Sequence, residues 1–144
     1  MKTLSSMEPV TQRLDEVQIM VQQTRSELEF YDFEVRFFYN LLDKYLAPLI
    51  DKASITRVQA TVEQLKSLEE QKEEFRRVFD MFRECLDETL CDLTGDKQQI
   101  NQMLQDMLQK KMDLFRAFRR FKKVFFALFE YLLHSEKADA LLYE

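Results

Sequence analysis

One histidine, two cysteines and a single glycine bound the chemistry this 144-residue chain can carry. Metal centres in helical bundles use inward carboxylates and Glu-x-x-His pairs on facing helices. The lone imidazole is His134, and the residue three positions before it is Tyr131, so no di-iron or other metal site is expected. His134 reads instead as a residue at a helix C-terminus, favourably placed beside the last carbonyls. Cys85 and Cys91 match neither a C-x-x-C motif nor a zinc-ligand pair. Their neighbours are apolar or acidic, which does not favour a reactive thiolate. One glycine leaves no phosphate-cradling loop, no serine elbow and no dinucleotide fingerprint. No catalytic, metal or cofactor residue is assigned, and the chain reads as non-enzymatic.

The remaining candidate chemistry is charge. Lys110, Lys111, Arg116, Arg119, Arg120, Lys122 and Lys123 fall in one run with Asp113 as its only acid. They interleave with Leu114, Phe115, Phe118 and Phe121, giving a helix basic on one side and aromatic on the other. Lys110, Arg116, Arg119, Arg120, Lys122 and Lys123 are the candidate partner-binding basic face. Such a face suits an anionic membrane surface or, through phosphate contacts, a nucleic acid. The formal net charge is −5, however, so the rest of the chain is strongly acidic and nucleic acid is the poorer fit. The structural reading of the same cations is pairing with Glu69, Glu70, Glu73 and Glu74 on a neighbouring helix.

Helices must position these residues. One Gly and two Pro provide too few turns for a sandwich or a βαβ fold. Apolar residues recur in alternating four- and three-residue steps, which is a heptad stripe. The clearest runs from Ile100 through Leu104, Met107, Leu114, Phe118, Phe121, Phe125 and Leu128 to Leu132, with Lys111 its polar exception. A second runs from Val10 through Leu14, Val17, Val21, Thr24, Leu28, Tyr31, Val35, Phe38 and Leu42 to Tyr45 and Leu49. Between them Ile55, Val58, Val62, Leu65 and Leu68 precede Phe75, Phe79, Phe82, Leu86, Leu90 and Leu93. The successive three-residue steps from Val62 to Leu68 imply a stammer, and Glu69–Glu74 lacks apolar residues, but nothing there breaks a helix.

The expected fold is all-α: one domain over 1–144, an elongated up-down-up three-helix bundle of coiled-coil-like antiparallel helices. Helix 1 is expected over about 9–47, helix 2 over about 54–92 and helix 3 over about 96–134, with 135–144 as a frayed or short helical tail. Each rod would be roughly 50 to 60 Å long at 1.5 Å per residue. Pro48 ends the first helix, Ser54 is the expected N-cap of the second, and Thr94-Gly95-Asp96 with Gln99 punctuates the second turn. Lys111, at a core-seam position, is expected either to set register or to snorkel to water, and Lys72 shares that reading.

All thirteen phenylalanines lie in the windows 30–38, 75–82 and 115–129. Parallel first and third helices would bring the first and last windows to a common level. Phe30, Phe33, Phe37, Phe126, Phe129 and Leu133 widen the stripes beyond what a thin three-helix rod covers. They form a candidate apolar interface, buried by a second copy or by a fourth helix in trans. The longest unbroken apolar run, Val124 to Phe129, is far short of the roughly 20 residues a membrane span needs. The N-terminus lacks a continuous apolar core, so a cytoplasmic chain with reduced thiols is expected.

The leading expectation is an interaction or assembly module that binds a protein partner or a second copy of itself. The alternative is a peripheral anionic-membrane or nucleic-acid binder acting through the basic face. A pocket for an apolar ligand among the phenylalanines is the third reading.

Overall fold

The computed structural model describes residues 14–91 and 97–135. The fold is all-α, with three long helices in up-down-up order and no strand among the described residues. α1 spans Leu14–Asn40, α2 Ile55–Cys91 and α3 Lys97–Leu133. The expected start of the first helix before Leu14, the Thr94-Gly95-Asp96 turn and the tail beyond Ser135 lie outside the described residues.

The end of the first rod differs from a plain helix stop. Leu41–Leu46 form a π-helical turn and Ala47–Leu49 a 3-10 turn that contains Pro48. Proline has no N–H to continue the ladder, and its ring crowds the carbonyl four residues back. The ladder widens instead, and the Ala47 N–H donates to the Leu42 carbonyl. A π turn takes up one extra residue. The buried row therefore passes from Leu42 to Leu46, leaving Tyr45 exposed, which corrects the expected continuation through Tyr45.

The cap of α2 is likewise one turn earlier than expected. Asp51 and Ser54 close a reciprocal box in which the Ser54 N–H donates to Asp51 Oδ1 and the Asp51 N–H donates to Ser54 Oγ, both at 2.9 Å. Asp51 is the capping residue and Ser54 its answering side chain.

α2 then runs unbroken through Glu69–Glu74 without a stammer. Its buried positions are Val58, Thr61, Leu65, Leu68, Lys72, Phe75, Phe79, Phe82 and Leu86, a strict alternation of three- and four-residue steps. Thr61, not Val62, holds the core position, because its hydroxyl donates to the Arg57 carbonyl at 3.0 Å and so enters the interior already satisfied. Lys72 fills the gap near position 72 by burying its stem, with its ammonium 3.4 Å from Glu73.

Two compact units divide the chain, one formed by Met1–Phe30 with Lys72–Asp113 and the other by Tyr31–Gln71 with Leu114–Glu144. Each helix contributes a segment to both. In unit 1 the core comprises Val17, Leu28, Phe75, Phe79, Phe82, Leu86, Ile100, Leu104 and Met107. It also holds polar residues. Thr24 is fully buried, and Lys111 Nζ lies 3.1 Å from Thr24 Oγ1 and 3.3 Å from Glu27 Oε2. Lys111 thus reaches across from α3 to α1 and is held there by a hydroxyl and a carboxylate.

Unit 2 is aromatic. Phe118 stacks on Tyr31 with centroids 4.2 Å apart, and Phe38 meets Phe121 at 5.1 Å and Phe125 at 4.8 Å. Residue numbers rise together across these contacts, so the α1 and α3 segments run parallel and bring their rings to a common level. α2 opposes them with the smaller Val58, Thr61, Leu65 and Leu68. Alternating large and small residues lets such layers interdigitate at interior density.

Candidate interaction surface

Lys122 marks the seam between α1 and α3 in unit 2. Its Nζ lies 2.7 Å from Oε2 of Glu34, a short charge-assisted contact, and the Glu34 side chain is only 9% exposed. The other carboxylate oxygen, Oε1, is buried with no hydrogen-bond partner. An unsatisfied buried acceptor of this kind costs about 1 to 3 kcal/mol. Glu34 is absent from the expected site residues, although it occupies the gap in the row Phe30, Phe37, Leu41 and shares that helix edge.

A row of apolar side chains flanks the ion pair on each helix. Counting along α3 from Lys122, residues at +4, +7 and +11 are Phe126, Phe129 and Leu133, and the residue at −7 is Phe115. At 3.6 residues per turn these lie on one edge of the helix. The corresponding edge of α1 and the π turn that follows it holds Phe37 and Leu41, at +3 and +7 from Glu34. Phe33 stacks on Phe37 with centroids 6.4 Å apart and extends that edge outward. Phe33 is 58% exposed, Phe37 44% and Phe126 54%, and Phe115 and Leu133 are exposed as well. Leu41 and Phe129 are half-buried. Five of the six candidate apolar residues, Phe33, Phe37, Phe126, Phe129 and Leu133, therefore belong to unit 2. Phe30 is exposed in unit 1.

The candidate basic face does not form a single patch. Lys110 belongs to unit 1, where its charge helps to stabilise the Glu74 carboxylate. Lys122 is committed to Glu34. Arg116, Arg119, Arg120 and Lys123 are exposed in unit 2, and among the described residues none of them joins an ion pair. The expected pairing of the arginines with the α2 glutamates is thus corrected. Glu73 pairs with Lys72 and Arg76, and Glu74 with Arg77, all within α2. These partners are one, three and three residues away, so they meet without any tertiary contact. The hydrogen bond from Arg77 is also the main reason the Glu74 carboxyl titrates below its ordinary range.

Arg116, Arg119 and Lys123 follow one another at three- and four-residue steps just outside the Phe115 and Phe126 row. They form a cationic rim on the α3 side of the seam. Along the α1 side the outward residues are Phe33 and Asn40, with the exposed cations Arg36 and Lys44 at the same three- and four-residue steps. Elsewhere in unit 2, the Arg57 guanidinium covers the Tyr131 ring at 4.6 Å from its centroid, joining α2 to the opposite edge of α3. Burial raises the Tyr39 phenol above its usual value, and the carboxylates of Glu69 and Glu63 add to that rise.

The remaining chemical candidates are modestly placed. His134 is exposed just beyond α3, with its backbone N–H on the Glu130 carbonyl. Cys85 is half-buried on α2. Among the described residues, no group of three or more His, Cys, Asp or Glu side chains is arranged to hold a metal ion. An open groove between α1 and α2 of unit 1 is lined by Gln18, Ile19, Gln22, Arg83 and Asp87, a mixed surface without a phenylalanine. No described helix is long and apolar enough to cross a membrane. Compared with protein-family models, with curated proteins and with solved structures, the chain matches none.

Proposed function

We propose that this chain is a non-enzymatic helical interaction module whose working surface is the α1·α3 edge of unit 2. That surface holds a helical segment of a partner protein or of a second copy. The observation that supports it most is the pair of phenylalanine rows left exposed on either side of the buried Glu34–Lys122 contact. Rings exposed singly are common on soluble proteins, whereas contiguous apolar rows mark interaction sites. A reducing compartment such as the cytoplasm fits two cysteines whose spacing matches neither C-x-x-C nor a zinc-ligand pair.

Photo-crosslinking tests the proposal directly. Benzoylphenylalanine at position 37 or 126 is expected to give a discrete covalent adduct with a protein or with a second copy. The same group at position 84, on the exposed polar side of α2, is expected to give none. Equal yields from all three positions, or no adduct from 37 and 126, would remove this function.

The second reading, an anionic-membrane or nucleic-acid binder, is favoured by one observation: Arg116, Arg119, Arg120 and Lys123 are exposed without ion-pair partners among the described residues. Co-sedimentation with phosphatidylserine vesicles and retention on oligonucleotides, each at low and high salt, test it. Binding at low salt that is lost at high salt is the result it requires.

A further inference from the structure

Resting on the interaction reading above, we infer that the occupant of the α1·α3 edge is an amphipathic α-helix with acidic flanks, lying along the seam. Three features of unit 2 carry this.

The first is shape. Phe115 and Leu133 bound a row along α3 of about 27 Å at 1.5 Å per residue, and Phe37 with Leu41 lies across the seam from its middle. Two parallel helices with apolar residues on their facing outer edges form the trough into which a further helix packs. The occupant's anchors would recur at i, i+3, i+4 and i+7.

The second is charge. Arg116, Arg119 and Lys123 border the trough on the α3 side, exposed and without ion-pair partners among the described residues, and the exposed Arg36 and Lys44 border it on the α1 side, so both rims are cationic. Acidic residues along the edges of the incoming helix would meet these rims. A second copy would not. The two-fold apposition of one α3 edge on another brings the same cations face to face, and the acidic outer side of α2 in unit 2, with Glu63, Glu69 and Glu70, has no continuous apolar row to enter the trough.

The third is the floor. Glu34 is more than nine-tenths buried, and its Oε1 has no hydrogen-bond partner. A polar donor at the middle of the occupant, such as a glutamine amide, would satisfy it and fix the register of the bound helix.

A pair of designed peptides tests the inference on the full chain. Both carry the same leucine and phenylalanine face with one central glutamine, one flanked by glutamates and the other by lysines. Isothermal titration is expected to show the glutamate peptide binding about tenfold more tightly at low salt, as two or three rim ion pairs would give, with the gap closing at high salt. In the Arg119→Glu, Lys123→Glu double variant the preference should shrink. Phe126→Ser, at a position too exposed to disturb folding, should abolish both titrations while leaving the circular dichroism unchanged. Equal affinity for the two peptides, or no binding of either, overturns the inference. So does a Phe126-dependent dimer in sedimentation equilibrium, or phosphatidylserine-vesicle binding that the glutamate peptide does not displace. If the peptide preference fails while adducts at 37 and 126 persist, the acidic helix is wrong and the interaction reading stands. If those adducts are also lost, both fall.

Discussion

Units 1 and 2 are built from the same helices and the same heptad repeat, yet they use their interiors differently. Unit 1 admits polar groups to heptad positions on all three helices, Thr24, Lys72 and Lys111, whereas among the described residues unit 2 admits one, Thr61 on α2, whose hydroxyl is satisfied within its own helix. Unit 2 fills the same repeat with rings and leaves further rings outside it. A buried polar layer tends to specify which residues meet, because a shifted register strands a hydroxyl or an ammonium without a partner. An aromatic layer gains more from contact area and tolerates an additional face. One unit is thus suited to fixing alignment and the other to adhesion.

The sharpest way to break this contrast is at the rings themselves. Phe125→Ala should destabilise the chain by about 3 to 5 kcal/mol in urea unfolding, since it removes a fully buried ring that contacts Phe38. Its neighbour Phe126 makes an edge contact with Phe125 but is more than half exposed, and Phe126→Ala should stay within about 1 kcal/mol. Similar losses at both positions would mean that unit 2 has no spare face.

A smaller effect separates the two lysine contacts. Lys122→Ala leaves Glu34 buried without either partner and should cost about 1 to 3 kcal/mol by the same measurement. Lys111→Leu removes a partly exposed ammonium whose partners keep other contacts, Glu27 with water and the Thr24 hydroxyl with the Met20 sulfur at 3.6 Å, and should change stability by about 1 kcal/mol or less. If Lys111 sets register, sedimentation of that variant will show a broadened oligomer distribution. Unchanged mass with sharper unfolding assigns it to snorkelling alone.

The smallest prediction concerns acid. Glu74 in unit 1 has its folded-state pKa lowered, first by the hydrogen bond from Arg77 and then by the charges of Arg77 and Lys110. A lowered pKa means that the favourable contact is complete above the ordinary carboxylate range and is lost as pH falls through the folded-state value. In a carboxyl-detected NMR titration Arg77→Ala should raise the pH at which Glu74 protonates, and an unchanged curve would show that the contact contributes nothing.

Much of the fold was legible in the pattern because helical periodicity is a local property. The rows of α1 and α3 can be read residue by residue, and so can the common level of the rings at Phe38 and Phe121. Legibility failed where a polar residue behaved as an apolar one. Val62 is the apolar residue next to Thr61 and so masks the core position that Thr61 holds, whereas Lys72 is legible only as a lysine at a core-seam position. The π turn was hidden for another reason. Pro48 announces that a ladder must fail, but whether the chain stops or widens depends on whether Leu46 finds a place in the core. Of the candidate surface, the phenylalanines were visible and Glu34 was not, since a glutamate is rarely buried without a close partner.

What the amino-acid order determined by itself is therefore the helices, their heptad faces and the surplus of rings, all set by spacing along one strand of chain. Which cation of one helix meets which partner on another was decided only in three dimensions. Lys122 found Glu34 and Lys111 found Thr24 and Glu27 because packing the apolar rows fixed the helix faces, and the long side chains at their edges took whichever partner that alignment brought within reach.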